Sequence, residues 1–210
     1  MQDRKTRSLQ TCLRSRDLLF VPYTRSMIPK YCSWFADEHL RKMTSTEGLT
    51  ESEFEHSHKI WTSDSNKIMF IVLSRLDYEQ SQDQLFSMIG DVNMVISQDE
   101  TPDSAVAEVM LMIGDARFRG KGLGRQMLLV LMRYAEEEFF IRKFEAHISL
   151  ENHSSIALFT SLGFTTVSTD ETFGEHLLQL QLDEPALQAL VTQSDNVSYS
   201  IDRTSSHQMA

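Results

Sequence analysis

With 210 residues, 41% of them apolar and 24% charged, the chain has the size and composition of one α/β domain with a sizeable core. Its formal net charge of −10 argues against nucleic acid as a partner and makes any local basic cluster informative. No apolar run approaches the roughly eighteen residues of a membrane-spanning helix, and Cys12 and Cys32 give neither a disulfide framework nor a zinc spacing, so a reducing, cytoplasmic location without membrane contact is expected.

Residues 1–17 carry Arg4, Lys5, Arg7, Arg14 and Arg16 with no apolar h-region, and read as a poorly ordered extension with only a faint likeness to a transit peptide. The main domain is placed at 18–191. Leu18 to Val21 is a strand ended by Pro22, and a helical region in two pieces follows from Met27 to Met43. Thr50 and Glu53 have capping-box spacing and open a helix that turns Phe54, Ile60 and Trp61 inward. Ile68 to Leu73 is β-branched and apolar, a strand, and the polar stretch Arg75 to Gln84 reads as a loop. Met88 to Ile96 and Ala105 to Ile113 form an antiparallel pair across an acidic connector containing Asp99, Glu100 and Asp103. The second of these strands is apolar on both faces, which marks a central strand. A glycine-rich turn leads into a helix from Leu123 to Phe139, where apolar residues recur every fourth position. Phe144 to Leu150 is the next strand, Asn152 caps a short helix ended by Gly163, and strands near Phe164 to Val167 and His176 to Leu182 complete the sheet. Residues 192–210 are polar and read as a disordered tail.

Gly120, Gly122 and Gly124 fall among Arg117, Arg119, Lys121 and Arg125, with no acid between residues 117 and 125. Glycine spacing lets a backbone approach a ligand closely, and the helix that follows directs its N–H groups and positive end at the same point. A phosphate or pyrophosphate ligand is expected. A Walker A loop fails, because Gly114 is one place too early and Gly122 stands where Ser or Thr must hold magnesium. A dinucleotide fingerprint fails as well, since its third glycine position is Arg125.

Arg119-Gly120-Lys121-Gly122-Leu123-Gly124 does match R-x-x-G-x-G, the pyrophosphate motif of the GNAT acetyltransferases, and Asn152 to Phe164 resembles that family's second signature, N-x-x-S-x-x-L-[YF]-x-x-L-G-F. Shorter stretches, among them Val21 to Thr24, Ile89 to Asn93, Glu108 to Met110 and Lys143 to Ala146, resemble the eukaryotic tubulin N-acetyltransferase branch near the bacterial ribosomal-protein acetyltransferases. The resemblance implies a mixed, mostly antiparallel sheet of six to seven strands, split by a V-shaped gap for acetyl-CoA and flanked by helices. It implies that the backbone of Arg119, Gly120, Lys121, Gly122, Leu123 and Gly124 holds the pyrophosphate, that Met112 and Ile113 bond the pantetheine, and that Asn152 contacts the cofactor's arm. It further implies direct transfer onto a protein N-terminal amine, with tubulin as the candidate acceptor, and no metal.

Glu108 is the candidate general base, the one charge in an apolar strand, where burial would favour its neutral form; a structural carboxylate is the alternative. Phe159 stands where many GNAT enzymes carry a proton-donating tyrosine, and water or Tyr134 is the stand-in. Asp91 and Asn93 share one strand face and are candidates for the acceptor site. His147 is either a core histidine or a cavity residue, while His56 and His58 point to different sides of a helix and suit no metal. Asp77, Glu79 and Asp83 lie in acidic loop sequence that either attracts a cationic peptide end or is merely solvated. A polyamine-like acceptor, or a non-catalytic acyl-CoA-binding module acting through protein contacts, stays open, and a monomer or weak dimer is expected.

Overall fold

The computed structural model describes residues 8–44, 46, 50–98 and 105–202. A short strand, β1 (Cys12–Arg14), precedes β2 (Leu18–Pro22). Three helices follow: α1 (Ile28–Trp34), α2 (Glu38–Met43) and α3 (Glu51–Ser63). Asp37 caps α2 by accepting from His39 and Leu40, and the Thr50–Glu53 capping box of α3 is formed in both directions. After β3 (Lys67–Ser74) come two short helices, α4 (Arg75–Ser81) and α5 (Gln84–Ser87). Then come β4 (Met88–Gln98), β5 (Ala105–Ile113), the long α6 (Leu123–Phe139), β6 (Lys143–Ser149) and α7 (His153–Ser161). The chain continues through β7 (Thr165–Asp170), β8 (Glu175–Gln181), α8 (Glu184–Asn196) and β9 (Ser200–Asp202).

The described strands make one sheet in the order β7-β8-β6-β5-β4-β3-β2-β1-β9, antiparallel throughout except for β5 beside β6. The count exceeds the six to seven expected because β1 and β9 add an edge. Helices cover both faces. Met127, Leu128, Leu131 and Ala135 of α6 pack with Ala107 and Val109 of β5 on one side. Met27, Ile28, Trp34, Leu40 and Phe54 pack with Met112 on the other. Strand β5 therefore feeds both cores, as its double-sided apolarity requires.

Several local expectations are corrected. Arg75 to Ser81 is helical: Ser74 accepts from the Asp77 N–H as its cap, and Arg75 pairs with Glu79 one turn on. Within the presumed N-terminal extension, Cys12–Arg14 is a strand between β2 and β9, because Leu13 buries its side chain in the main core. The presumed tail is helical to Asn196, started by Asp183 and Pro185, and Ser200–Asp202 then joins the sheet. Ile60 of α3 is exposed, since Phe54 alone of its residues is fully buried. The expectations for residues 1–7, for 203–210 and for Asp99, Glu100 and Asp103 lie outside the described residues. Among the described residues, no helix is long and apolar enough to cross a membrane.

Candidate active site

The sheet opens at its one parallel junction. Pairing between β5 and β6 runs from Val106–Lys143 to Glu108–Glu145 and stops there. Beyond that point β5 stays paired with β4 as far as Ile113, and β6 with β8 as far as Ser149, so the two strands diverge. Main-chain groups on the open edge of β5 are left for a ligand to pair with.

At the far end of β5 lies the glycine turn. Gly120 and Gly122 adopt φ of +71° and +76°, and a Cβ on either would meet nothing within 4 Å. Their glycine identity thus serves backbone conformation and open access, not close packing. Gly122 caps α6 without any side-chain bond. Among the described residues, the N–H groups of Gly120, Lys121, Gly122, Leu123 and Gly124 find no acceptor. Unpaired amides at the positive end of a long helix are an anion cradle.

Arg119, expected to offer its backbone to the ligand, donates its N–H to the Ala116 carbonyl at 3.2 Å instead. Its guanidinium donates to the Ile113 carbonyl at 2.9 Å, the Gly114 carbonyl at 3.0 Å and Asp37 Oδ2 at 3.0 Å. It ties the turn to the end of β5 and to the start of α2, and holds the Asp37 carboxyl below its ordinary range. Arg125 points away, to Ser161 and Gln193, and the Lys121 ammonium sits 5.3 Å from the Phe118 ring centroid.

Two adjoining cavities occupy the gap. The smaller, about 370 Å³, is lined by Met112, Ile113, Arg119, Gly120, Gly122, Leu123, Gly124 and Asn152, so it gathers every sequence-predicted cofactor residue except Lys121. The larger, about 530 Å³, is lined by Glu108, Met110, Asp91, Asn93, His147 and Phe159. Leu111, Met112, Asn152 and Ser155 line both and join them. Asn152 caps α7 by accepting from the Ser155 N–H at 3.1 Å.

Glu108 faces the larger cavity half-buried, with no hydrogen bond or ion pair among the described residues. It is not enclosed as its apolar strand suggested, because its surroundings open into the gap. His147 is exposed at the cavity wall, 4.0 Å from Glu175, so it is not a core histidine. Asp77 lies in α4, Glu79 is paired with Arg75, and Asp83 caps α5.

Asp91 is the titratable residue that composition and spacing undervalued. It is 1% exposed, accepts from Tyr31 Oη at 3.2 Å and from Asn93 Nδ2 at 2.7 Å, and faces the same cavity as Glu108. Burial pushes its carboxyl up to about 6, with the two hydrogen bonds only partly opposing that rise. Its folded pKa exceeds the ordinary 3.8, so the unfolded chain loses the proton first as pH rises. The stability that this group contributes is complete below about pH 3.8 and is lost by the time pH passes about 6, a difference of about 3 kcal/mol. Thermal unfolding of Asp91→Asn is therefore expected at a higher temperature than wild type at pH 8, with the advantage shrinking towards pH 4.5. A wild-type advantage at pH 8 contradicts this reading of the site.

Residues 17–165 match the family model described as an acetyltransferase (GNAT) domain. The chain belongs to the GNAT acetyltransferases. It is an N-acetyltransferase, of a family that uses acetyl-CoA as acyl donor. It is 36% identical over 164 residues to alpha/beta-tubulin-N-acetyltransferase 9 of Drosophila melanogaster, covering 77% of this chain and 82% of the relative. The spermidine N-acetyltransferase of Vibrio cholerae, solved with CoA and spermine, shares the fold at a TM-score of 0.62, with 17% identity and coverage of 82% and 95%. A ribosomal alpha-N-protein acetyltransferase does so at 0.63, with 16% identity and coverage of 80% and 91%.

For a GNAT enzyme whose Phe159 cannot donate a proton, the structure removes one substitute. Tyr134, on α6, is fully buried, edge-on to Phe70 and Phe139 in the core between that helix and the sheet, and lines neither cavity. Thr44 and Ser155 are hydroxyls that line both cavities. The Thr44 hydroxyl is committed to the Leu40 carbonyl at 2.9 Å, whereas among the described residues the Ser155 hydroxyl has no acceptor. Among the described residues no three potential ligands cluster as for a metal ion.

Proposed function

We propose that the enzyme transfers the acetyl group of acetyl-CoA to the α-amine of a protein N-terminus, tubulin being the first candidate because a relative that covers most of this chain is named for it. The observation that carries this reading is the junction of the two cavities, where an uncapped glycine turn with five unpaired amides meets the edge of β5 that β6 has left. The amides from Gly120 to Gly124 hold the diphosphate, while the Arg119 N–H stays paired with the Ala116 carbonyl. The Met112 and Ile113 backbone pairs with the pantetheine arm, and Asn152 closes the other wall. Lys121, outside the cavity lining, contributes its amide and its charge at the rim.

The larger cavity receives the acceptor. Its amine attacks the thioester carbonyl directly, forming the C–N bond before the C–S bond breaks. Glu108 is the general base, taking the proton that nitrogen sheds as the tetrahedral species forms, through water that the open cavity admits. With Phe159 unable to donate, CoA leaves as its thiolate, towards which the Ser155 hydroxyl, lining both cavities, can donate a hydrogen bond. An α-amine, with a reference pKa of about 7.7–8.0, is about one-tenth free base at neutral pH, and a lysine of about 10.4 less than a thousandth. That favours the N-terminal amine for an enzyme whose base at this step is a half-buried carboxylate.

Incubation with acetyl-CoA and peptides bearing tubulin N-termini, beside spermine, followed by mass spectrometry, tests the assignment. Acetylated peptide is the expected product. Acetylated spermine alone makes the enzyme a small-amine acetyltransferase, and CoA binding with no product from any acceptor makes it a binding module. Glu108→Gln is expected to lower kcat/KM by about a hundredfold. Wild-type kcat/KM in this variant from pH 6 to pH 9 removes Glu108 from the mechanism.

A further inference from the structure

At the floor of the larger cavity lies a buried anion without a counter-charge. Asp91 makes no ion pair among the described residues, and its two hydrogen bonds come from neutral donors. Burying a carboxylate costs several kcal/mol unless a cation meets it. Two more polar atoms beside it lack partners among the described residues: Asn93 Oδ1 and Tyr23 Oη, in side chains that are 9% and 5% exposed. All three residues line the cavity. Its walls there are aromatic: Tyr31 lies 5.3 Å from Tyr23 and 5.9 Å from Phe54, ring centre to ring centre. Oxygen acceptors backed by aromatic faces suit a small, N–H-bearing cation.

Register places this pit at the reaction centre. Asp91 is directly opposite Met112 in the β4–β5 ladder, and Asn93 is opposite Met110. Facing residues of an antiparallel pair have Cβ atoms about 5 Å apart on the same face of the sheet. Glu108 shares that face but is paired with Val95, further from the Met112 backbone. Besides Glu108, the ionisable groups lining this cavity among the described residues are Tyr23, Tyr31, His147 and Glu175, with Cys32 near Tyr23 and His58 edge-on to it; none supplies a permanent positive charge.

We infer that Asp91, with Asn93 Oδ1 and Tyr23 Oη, is the subsite that receives the acceptor's amino group, the incoming ammonium being the counter-charge that the described residues do not supply. This inference rests on the acetyl-transfer reading of the gap and adds a residue which that reading does not require. Two protons must leave nitrogen when an ammonium becomes an amide. The ammonium passes the first to the Asp91 carboxylate, giving a free amine and a neutral carboxyl group. The amine lone pair then forms the C–N bond, the second proton leaves nitrogen towards Glu108, and the C–S bond breaks to release the CoA thiolate. A buried carboxyl group, shifted upward from its ordinary range, is a closer match to an α-amine than an exposed one, which eases the first transfer.

The test compares full-length wild type, Asp91→Asn and Asn93→Ala in three measurements: CoA affinity by calorimetry, melting temperature at pH 8, and acetylation of free α-amine peptides with kcat and KM resolved. Asp91→Asn is expected to bind CoA within threefold of wild type and to melt no lower, yet to lose at least a hundredfold in kcat/KM. Asn93→Ala is expected to raise KM several-fold with a smaller loss in kcat. Should Asp91→Asn retain kcat/KM within threefold of wild type, the inference is overturned while the acetyl-transfer reading stands. If wild type fails to bind CoA, the reading of the glycine turn falls instead. In that case the Asp91 subsite is judged by methioninamide binding alone: equal affinity for wild type and Asp91→Asn, or none for wild type, overturns it.

Discussion

Valine at position 122 is expected to abolish CoA binding while leaving the fold in place. Gly122 has φ +76°, and a Cβ there meets nothing within 4 Å, so a side chain creates no clash within the protein. What it creates is backbone strain of about 1–2 kcal/mol, greater for a β-branched residue, relieved by rotating the peptide away from the left-handed region. That rotation redirects the amides that face the cavity, and the side chain itself stands where a diphosphate must approach. The expected result is a rise of at least a hundredfold in the dissociation constant for CoA, with unfolding lowered by only a few degrees. Gly120→Val, at φ +71°, should act in the same direction. Unchanged CoA affinity in both variants would falsify the anion-cradle role of the turn.

Alanine at position 90 has the opposite profile, a loss of stability first. A Cβ on Gly90 falls 2.0 Å from the Met112 carbonyl oxygen, 3.0 Å from its carbon and 3.1 Å from Ile113 Cα. These are backbone atoms of the central strand, and no rotamer change can relieve the contact. The β4–β5 ladder must separate locally, at a cost on the order of 3–5 kcal/mol. For a domain of this size that lowers the melting temperature by about 10 °C or more. Because the displaced strand segment is the one proposed to pair with the pantetheine arm, CoA affinity should fall with it. Thermal unfolding of Gly90→Ala within 2 °C of wild type contradicts this account of the β5 backbone.

Much of the fold was legible because its strongest signals are local. The helix Leu123–Phe139 has the bounds that its apolar recurrence implies, and the Thr50–Glu53 box marks the start of its helix. The glycine turn could be read because φ above zero, close access and a following helix all leave marks in one short stretch. What escaped depends on distant partners. The strand Cys12–Arg14 is stabilised by Leu18–Pro22 and by Ser200–Asp202 from the other end of the chain, and no local pattern reports that pairing. The helix Arg75–Ser81 did leave a signal, Ser74 three residues before Asp77 with Arg75 and Glu79 a turn apart, which its polar composition masked. Spacing alone puts Asp91 and Asn93 on one strand face, but the burial of Asp91 under Tyr31 emerges only when α1 packs over the sheet. For Tyr134 the helix period alone could not say that its ring lies between Phe70 and Phe139, away from the gap.

Isothermal titration of CoA into the purified wild-type chain tests the central claim most directly. One saturable site is expected, weakened at high salt and absent in Gly122→Val. No heat of association with CoA or acetyl-CoA across a range of temperatures, from a folded wild-type sample, contradicts the account.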